Sequence, residues 1–120
     1  MNAISLPHSK NKDNKADHFS AGKPGVDQLP PEVLLAWASV FTYGEGKYGK
    51  HNWRKGHQWS EFYASTLRHL FYWWLGEDND PESGLPHLSH ALWNVSCLMY
   101  YQIRALGEDD RDVRLIKQAN

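Results

Sequence analysis

Residues 74–94, WLGEDNDPESGLPHLSHALWN, constrain this chain more than any other stretch. Four acidic side chains, Glu77, Asp78, Asp80 and Glu82, fall within six positions. Gly76, Pro81 and Gly84 break up the run, and His87 and His90 follow three apart. Asn79-Asp80-Pro81 reads as a turn. Apolar residues at helical spacing lie on either side. The stretch is therefore a junction between two helices, and carboxylates and imidazoles gathered at a junction are what a divalent cation requires.

The rest of the chain supports an all-α reading. Val33, Leu34, Trp37, Val40 and Phe41 form a one-sided stripe over residues 31–43. The Pro30-Pro31-Glu32 run starts that helix, and Gly44 and Gly46 are expected to stop it. Ser60 is expected to cap a second helix over 61–75, with Leu67, Leu70, Phe71, Trp74 and Leu75 as its core face. A third helix runs from about 86 to 106 and stops at Gly107. It is apolar nearly all round, so it should be central or at a subunit interface. No strand alternation and no repeat is visible. The fold class is a small bundle of three main helices.

With 120 residues this is one domain, burying roughly 65% of its unfolded surface. Three helices leave apolar faces uncovered, so a homo-oligomer is expected. Residues 1–22 read as a flexible polar arm, 23–107 as the helical domain and 108–120 as a charged tail that ends frayed or in a short helix.

The net charge of −1 gives no global sign of a nucleic-acid or membrane partner. The most apolar run, 91–106, carries Asn94, Ser96, Gln102 and Arg104 and is too short and polar to span a bilayer. A single cysteine, Cys97, permits no internal disulfide. With a polar N-terminus and no signal peptide, this fits a reducing cytoplasm, bacterial or phage-infected.

The third helix carries a polar seam. At 100° per residue, His87, His90, Asn94, Cys97 and Tyr101 share a sector of about 80°. That seam either lines a metal or phosphate site or is an interhelical hydrogen-bond seam; the residues alone leave both open. On the second helix His69, Trp73 and Glu77 lie along one face, close to the seam if the two helices are antiparallel neighbours. Arg68 beside them is a structural ion pair or a phosphate clamp. The loop 44–56 is basic and glycine-punctuated, with Lys47, Lys50, Arg54 and Lys55 set among Tyr48 and Trp53. Such loops hold polyphosphate on backbone and cation, and aromatics stack on a base. With the positive charge confined to one loop, a long nucleic acid is not expected.

GKPGVDQLPPE, KYGKHNWRKG, the RHL-x-x-W core of the second helix and GEDNDPESGLPHLSHALWN together resemble a family of mostly phage proteins, the dATP/dGTP diphosphohydrolase N-terminal domain. The resemblance covers about residues 22–101, in order. It implies an all-α, MazG-like nucleotide pyrophosphohydrolase that cuts a purine (d)NTP into the monophosphate and pyrophosphate. Mg²⁺ or Mn²⁺ is the implied cofactor, with Zn²⁺ or Fe possible because of the histidines. By the same resemblance, His69, Glu77, Asp78, Asp80, His87 and His90 are the metal candidates. Glu77 and Glu82 are the candidate bases. Lys23, Lys47, Arg54, Lys55 and Arg68 would hold phosphates, and Tyr48, Asn52 and Trp53 would meet base or sugar. Independently of the resemblance, the functional reading of the third-helix seam has Asn94 orienting His87 and His90 or the substrate. The usual MazG signature pairs ExxE on one helix with ExxD on the next. Here Arg68/His69 and His87/His90 stand in the comparable region, so the site is rebuilt with histidine or has lost that chemistry. The rival readings are a non-catalytic phage protein that sequesters nucleotide, and a helical oligomeric scaffold.

Overall fold

In a computed structural model, residues 21–112 are described. The expected arm therefore lies almost wholly outside the described residues, as does the tail beyond residue 112. Three helices carry the fold: α1 (Pro31–Tyr48), α2 (Trp59–Trp74) and α3 (His87–Arg104). Short 3-10 turns at Val26–Gln28 and Asn52–Lys55 precede α1 and α2. No strand occurs among the described residues, only isolated bridges at Gln58–Glu108 and Asn79–Pro86. The fold is thus the small all-α bundle that the apolar periodicity implies.

The third helix is the centre. It packs closely along α2 and more lightly on α1, while α1 and α2 scarcely touch. A cleft therefore opens between the two outer helices. The core is small and aromatic: Phe62, Cys97 and Tyr101 are buried, with Trp53, Trp59, Trp93 and Leu106 packed around them. The Tyr101 hydroxyl donates to the Trp53 carbonyl, so the core's phenol is paired. On the α1 side, the Trp37 indole N–H donates to Ser96 Oγ at 3.0 Å.

Three local expectations change. First, α1 does not stop at Gly44 or Gly46 but continues to Tyr48, and Gly49 at φ 90° terminates it. A helical glycine costs only about 1 kcal/mol relative to alanine, and here Tyr43 and Lys47 both reach Glu82 across the fold, holding the extra turn in place.

Second, α2 begins at Trp59, so Ser60 lies inside its first turn and is not the cap. The Trp59 N–H donates to the Glu108 carbonyl at 2.9 Å, and the Ser60 N–H donates to Asp110 Oδ1 at 2.9 Å. The segment after α3 thus folds back over the start of α2 and satisfies its free amides. The αL stop of α3 falls on Ala105 rather than Gly107. Gly107 instead takes φ 75° where the returning chain presses against the His57 carbonyl, leaving no room for a Cβ.

Third, the buried faces of α2 and α3 are not the most apolar ones. Phe62 and Thr66 are the buried residues of α2, while Phe71, Trp74 and Leu75 are exposed. α3 buries His87, Ser89, His90, Ala91, Asn94, Cys97 and Tyr101, and turns Leu88, Leu92, Val95, Met99 and Ile103 outward. α2 lies along the polar seam, so the apolar stripes are left on the outside.

Candidate functional site

The polar seam and the acidic junction meet. Backbone bonds shape residues 77–86 first. The Asp80 N–H donates to the Leu85 carbonyl at 2.8 Å, Gly84 N–H to the Asp80 carbonyl at 2.7 Å, and His87 N–H to the Asp78 carbonyl at 2.9 Å. These bonds turn the Asp80 side chain inward, where its Oδ2 accepts from the Ser83 N–H at 3.0 Å and the Ser83 hydroxyl at 2.8 Å. Burial raises the Asp80 carboxyl, but the two Ser83 bonds outweigh it and hold the pKa below 3.8. Asp80 is a fixed carboxylate, not part of a solvated turn.

The imidazoles complete the cluster. His69 Nδ1 on α2 lies 2.9 Å from His87 Nδ1 on α3. The other nitrogen of His87, Nε2, meets Glu77 Oε1 at 2.7 Å. His90 Nε2 lies 2.7 Å from Ser83 Oγ and 3.7 Å from Asp80 Oδ2, and its ring stacks on His69 at 4.6 Å. Burial, then the charges of His90 and His87, push the His69 pKa down to about 4. Burial also lowers His90, with Asp80 opposing. His69 is therefore neutral near pH 7 with a lone pair to offer, which is the form that ligates metals.

One ligand atom each from His69, Asp80 and His87 lies within 4.8 Å of the others. That donor set suits a cation. Glu77 stands where a carboxylate orients a ligating imidazole through its far nitrogen. Ser83 does the same for Asp80 and links it to His90.

A cleft of about 1090 Å³ runs beside this cluster, large for a small-molecule site. Among the residues singled out from sequence, Lys47, Tyr48, Asn52, Trp53, Arg54, Asn94, His69, Asp80, Glu82 and His90 lie on its wall. Lys23, Lys55, Arg68 and Asp78 do not, and Asp78 contributes its carbonyl to α3 rather than its carboxylate to the cluster. Glu77 and His87 are likewise not on the wall; His87 is buried and Glu77 is exposed. The Arg54 guanidinium lies over Trp53 and Tyr100, and Trp53 packs edge-on against Phe41 and Tyr100. Lys47 Nζ pairs with Glu82 Oε1 at 2.6 Å, and the bond raises the lysine pKa. Bonds from Lys47 and Tyr43 hold Glu82 below the usual carboxylate range.

Several wall residues were not expected. Glu61 and Ser65 line the cleft on the same face of α2 as His69, at i, i+4 and i+8; that polar periodicity was available to be read. Tyr43, His51 and His57 also line it, as does Trp93. Ser83 gave no sequence signal, because its role depends on the turn.

A helical protein with an imidazole–carboxylate cluster facing a cleft of aromatic and basic side chains is the class that fold and site define. The model of one protein family, described as dATP/dGTP diphosphohydrolase, N-terminal, matches residues 13–111, and the chain belongs to that family. It is 29% identical over 93 residues to a dATP/dGTP diphosphohydrolase of Salmonella phage PMBT28. The match covers 78% of this chain and 32% of the relative, so the chain spans about a third of that protein's length. No solved structure matches.

Proposed function

We propose that this protein is a metal-dependent purine (d)NTP pyrophosphohydrolase that releases the monophosphate and pyrophosphate. The convergence of His69, Asp80 and His87 beside an aromatic and basic cleft carries the reading; the family's name supplies the substrate class. Two imidazoles and one carboxylate suit Mn²⁺, Fe²⁺ or Zn²⁺ better than Mg²⁺. Bound there, such an ion supplies charge neutralisation on the phosphates and an activated water for in-line attack at phosphorus.

The chain's own groups do the positioning. Glu77 fixes the His87 ring, Ser83 fixes Asp80, and Arg54, braced on two aromatic faces, offers a cation to phosphate. Trp53 and Phe41 give a base an apolar wall. The bonds to Lys47 and Tyr43 make Glu82 a weak base, and Glu77 is engaged with His87, so both serve this site as holders.

The test is incubation with each dNTP and with Mn²⁺, Mg²⁺ or Zn²⁺. Pyrophosphate released from dATP or dGTP, and abolished by chelator, is the expected result. Stoichiometric nucleotide binding without turnover would replace this reading with sequestration. No binding and no turnover would end both.

A further inference from the structure

The cleft wall carries a carboxylate that the proposed reaction leaves unused. Among the described residues four carboxylates line the cleft: Glu45, Glu61, Asp80 and Glu82. Asp80 belongs to the metal cluster, and Glu82 is tied to Lys47 and Tyr43. Glu45 stands beside Lys47 on the last turns of α1. Glu61 is set apart from these, in the first turn of α2 and next to the core ring of Phe62. Its ion pair to His57 Nδ1 is 3.9 Å long, beyond hydrogen-bond range, and leaves the carboxylate oxygens able to accept.

The position of Glu61 along α2 decides what it can meet. Glu61, Ser65 and His69 face the cleft from successive turns. At the helical rise per residue, Glu61 stands about 12 Å from His69 along the axis. A nucleotide whose phosphates are held at His69 passes Ser65 with its sugar and reaches Glu61 with its base. The aromatic groups agree with that direction. The Trp53 carbonyl accepts from Tyr101, whose ring meets Phe62 edge-on at 5.3 Å. Trp53, the stacking candidate, is therefore at the Glu61 end of the cleft and not at the imidazole end.

We propose that Glu61 reads the base and makes this chain prefer guanine over adenine nucleotides. The inference rests on the nucleotide reading of the cleft given above and adds which purine fills it. Guanine presents two adjacent donors on its pairing edge, N1–H and the N2 amino group. Adenine presents an acceptor, N1, beside its N6 amino donor. An ionised carboxylate only accepts, so it takes both guanine donors at once and repels adenine N1. Hydrogen bonds to a charged group of this kind favour guanine about 10- to 100-fold.

The test measures binding to the full chain with Mn²⁺ and the α,β-methylene analogues of dGTP, dITP and dATP, which cannot be cut between the α and β phosphates. The dGTP analogue is expected to bind tightest and the dATP analogue weakest. The dITP analogue, which lacks the N2 amino group, should fall between them. Glu61→Gln should reverse the order, because an amide donates to adenine N1 and accepts from N6. The Glu61 side chain is 63% exposed, so the variant is expected to fold; if it does not, the wild-type series decides alone. Equal affinity for the dGTP and dATP analogues would overturn the proposal. So would a dITP analogue bound as tightly as the dGTP one, or a Glu61→Gln chain that keeps the guanine preference. Binding without base preference removes this inference and leaves the reaction standing. Guanine preference in a chain that releases no pyrophosphate from dGTP upholds this inference and removes the reaction.

Discussion

The two halves of the buried face of α3 have the same burial and opposite chemistry. In the N-terminal half, His87 and His90 face His69 and the acidic junction, and Asn94 donates to the His90 carbonyl beside them. In the C-terminal half, Cys97 and Tyr101, each 0% exposed, face Phe62 and the returning chain. One half assembles titratable groups, and the other excludes them: burial alone pushes the Cys97 thiol up to about 12, leaving it an inert apolar filler. A single helical face thus serves both as site and as core. Which role a residue takes is set by what the neighbouring element brings to it, not by its own burial.

Substitutions should separate the halves. The largest effect is expected in the core half. Tyr101→Ala removes the buried ring and leaves the Trp53 carbonyl unpaired, costing about 3–5 kcal/mol of stability by analogy with other aromatic truncations. Urea denaturation measures it, and turnover per folded molecule should survive, since Tyr101 is not on the cleft wall. If turnover falls with stability held constant, the two halves are not separable.

His69→Gln should do the reverse. It removes one nitrogen of the proposed metal set and is expected to cost metal-stimulated turnover at least about 100-fold, with a nearly unchanged urea midpoint at pH 7. Glu77→Gln should be milder, lowering Mn²⁺ affinity about 10- to 100-fold, because it weakens the orientation of His87 without removing a ligand. Equal losses from the two would mean that Glu77 ligates directly, which metal titration would reveal.

The site half also carries a pH dependence. The folded His69 pKa of about 4 lies below the ordinary 6.5. Between those values the unfolded chain holds a proton that the folded chain refuses, so stability rises with pH there. Without metal, stability should be full above pH 6.5 and erode as pH falls towards 4. His69→Gln should flatten that slope. A wild-type slope that survives the substitution would assign it to another group.

The contrast also explains what was legible in the amino-acid order. The seam of α3 was visible, since His87, His90, Asn94, Cys97 and Tyr101 recur at helical spacing. Its approach to His69 followed from antiparallel neighbours. The inner face of α2 was not visible, because Phe71, Trp74 and Leu75 advertise a stronger apolar stripe than Phe62 and Thr66. Packing on the seam overrode that pattern. Ser83 was hidden because its bonds to Asp80 and His90 exist only once the turn has formed. Gly44 and Gly46 misled because cross-fold bonds from Tyr43 and Lys47 to Glu82 sustain the helix through them.

The least legible feature supports the last and smallest prediction. Asp110 caps α2 from 50 residues away, through the Ser60 N–H and hydroxyl. No local pattern announces a cap supplied at such separation. The Ser60 bonds hold the Asp110 pKa below 3.8, and the negative charge also complements the helix's positive end. Its contribution is therefore complete above pH 3.8 and lost as pH falls through the depressed value. Asp110→Ala should lower the thermal midpoint modestly at pH 7, far less than Tyr101→Ala. Asp110→Asn should recover most of the loss, since an amide oxygen caps nearly as well. Because Asp110 acts at the core end of α2, metal affinity should not move in either variant. A change there would show that the start of α2 sets the position of His69 ten residues further on, and that the two halves are coupled through the helix they share.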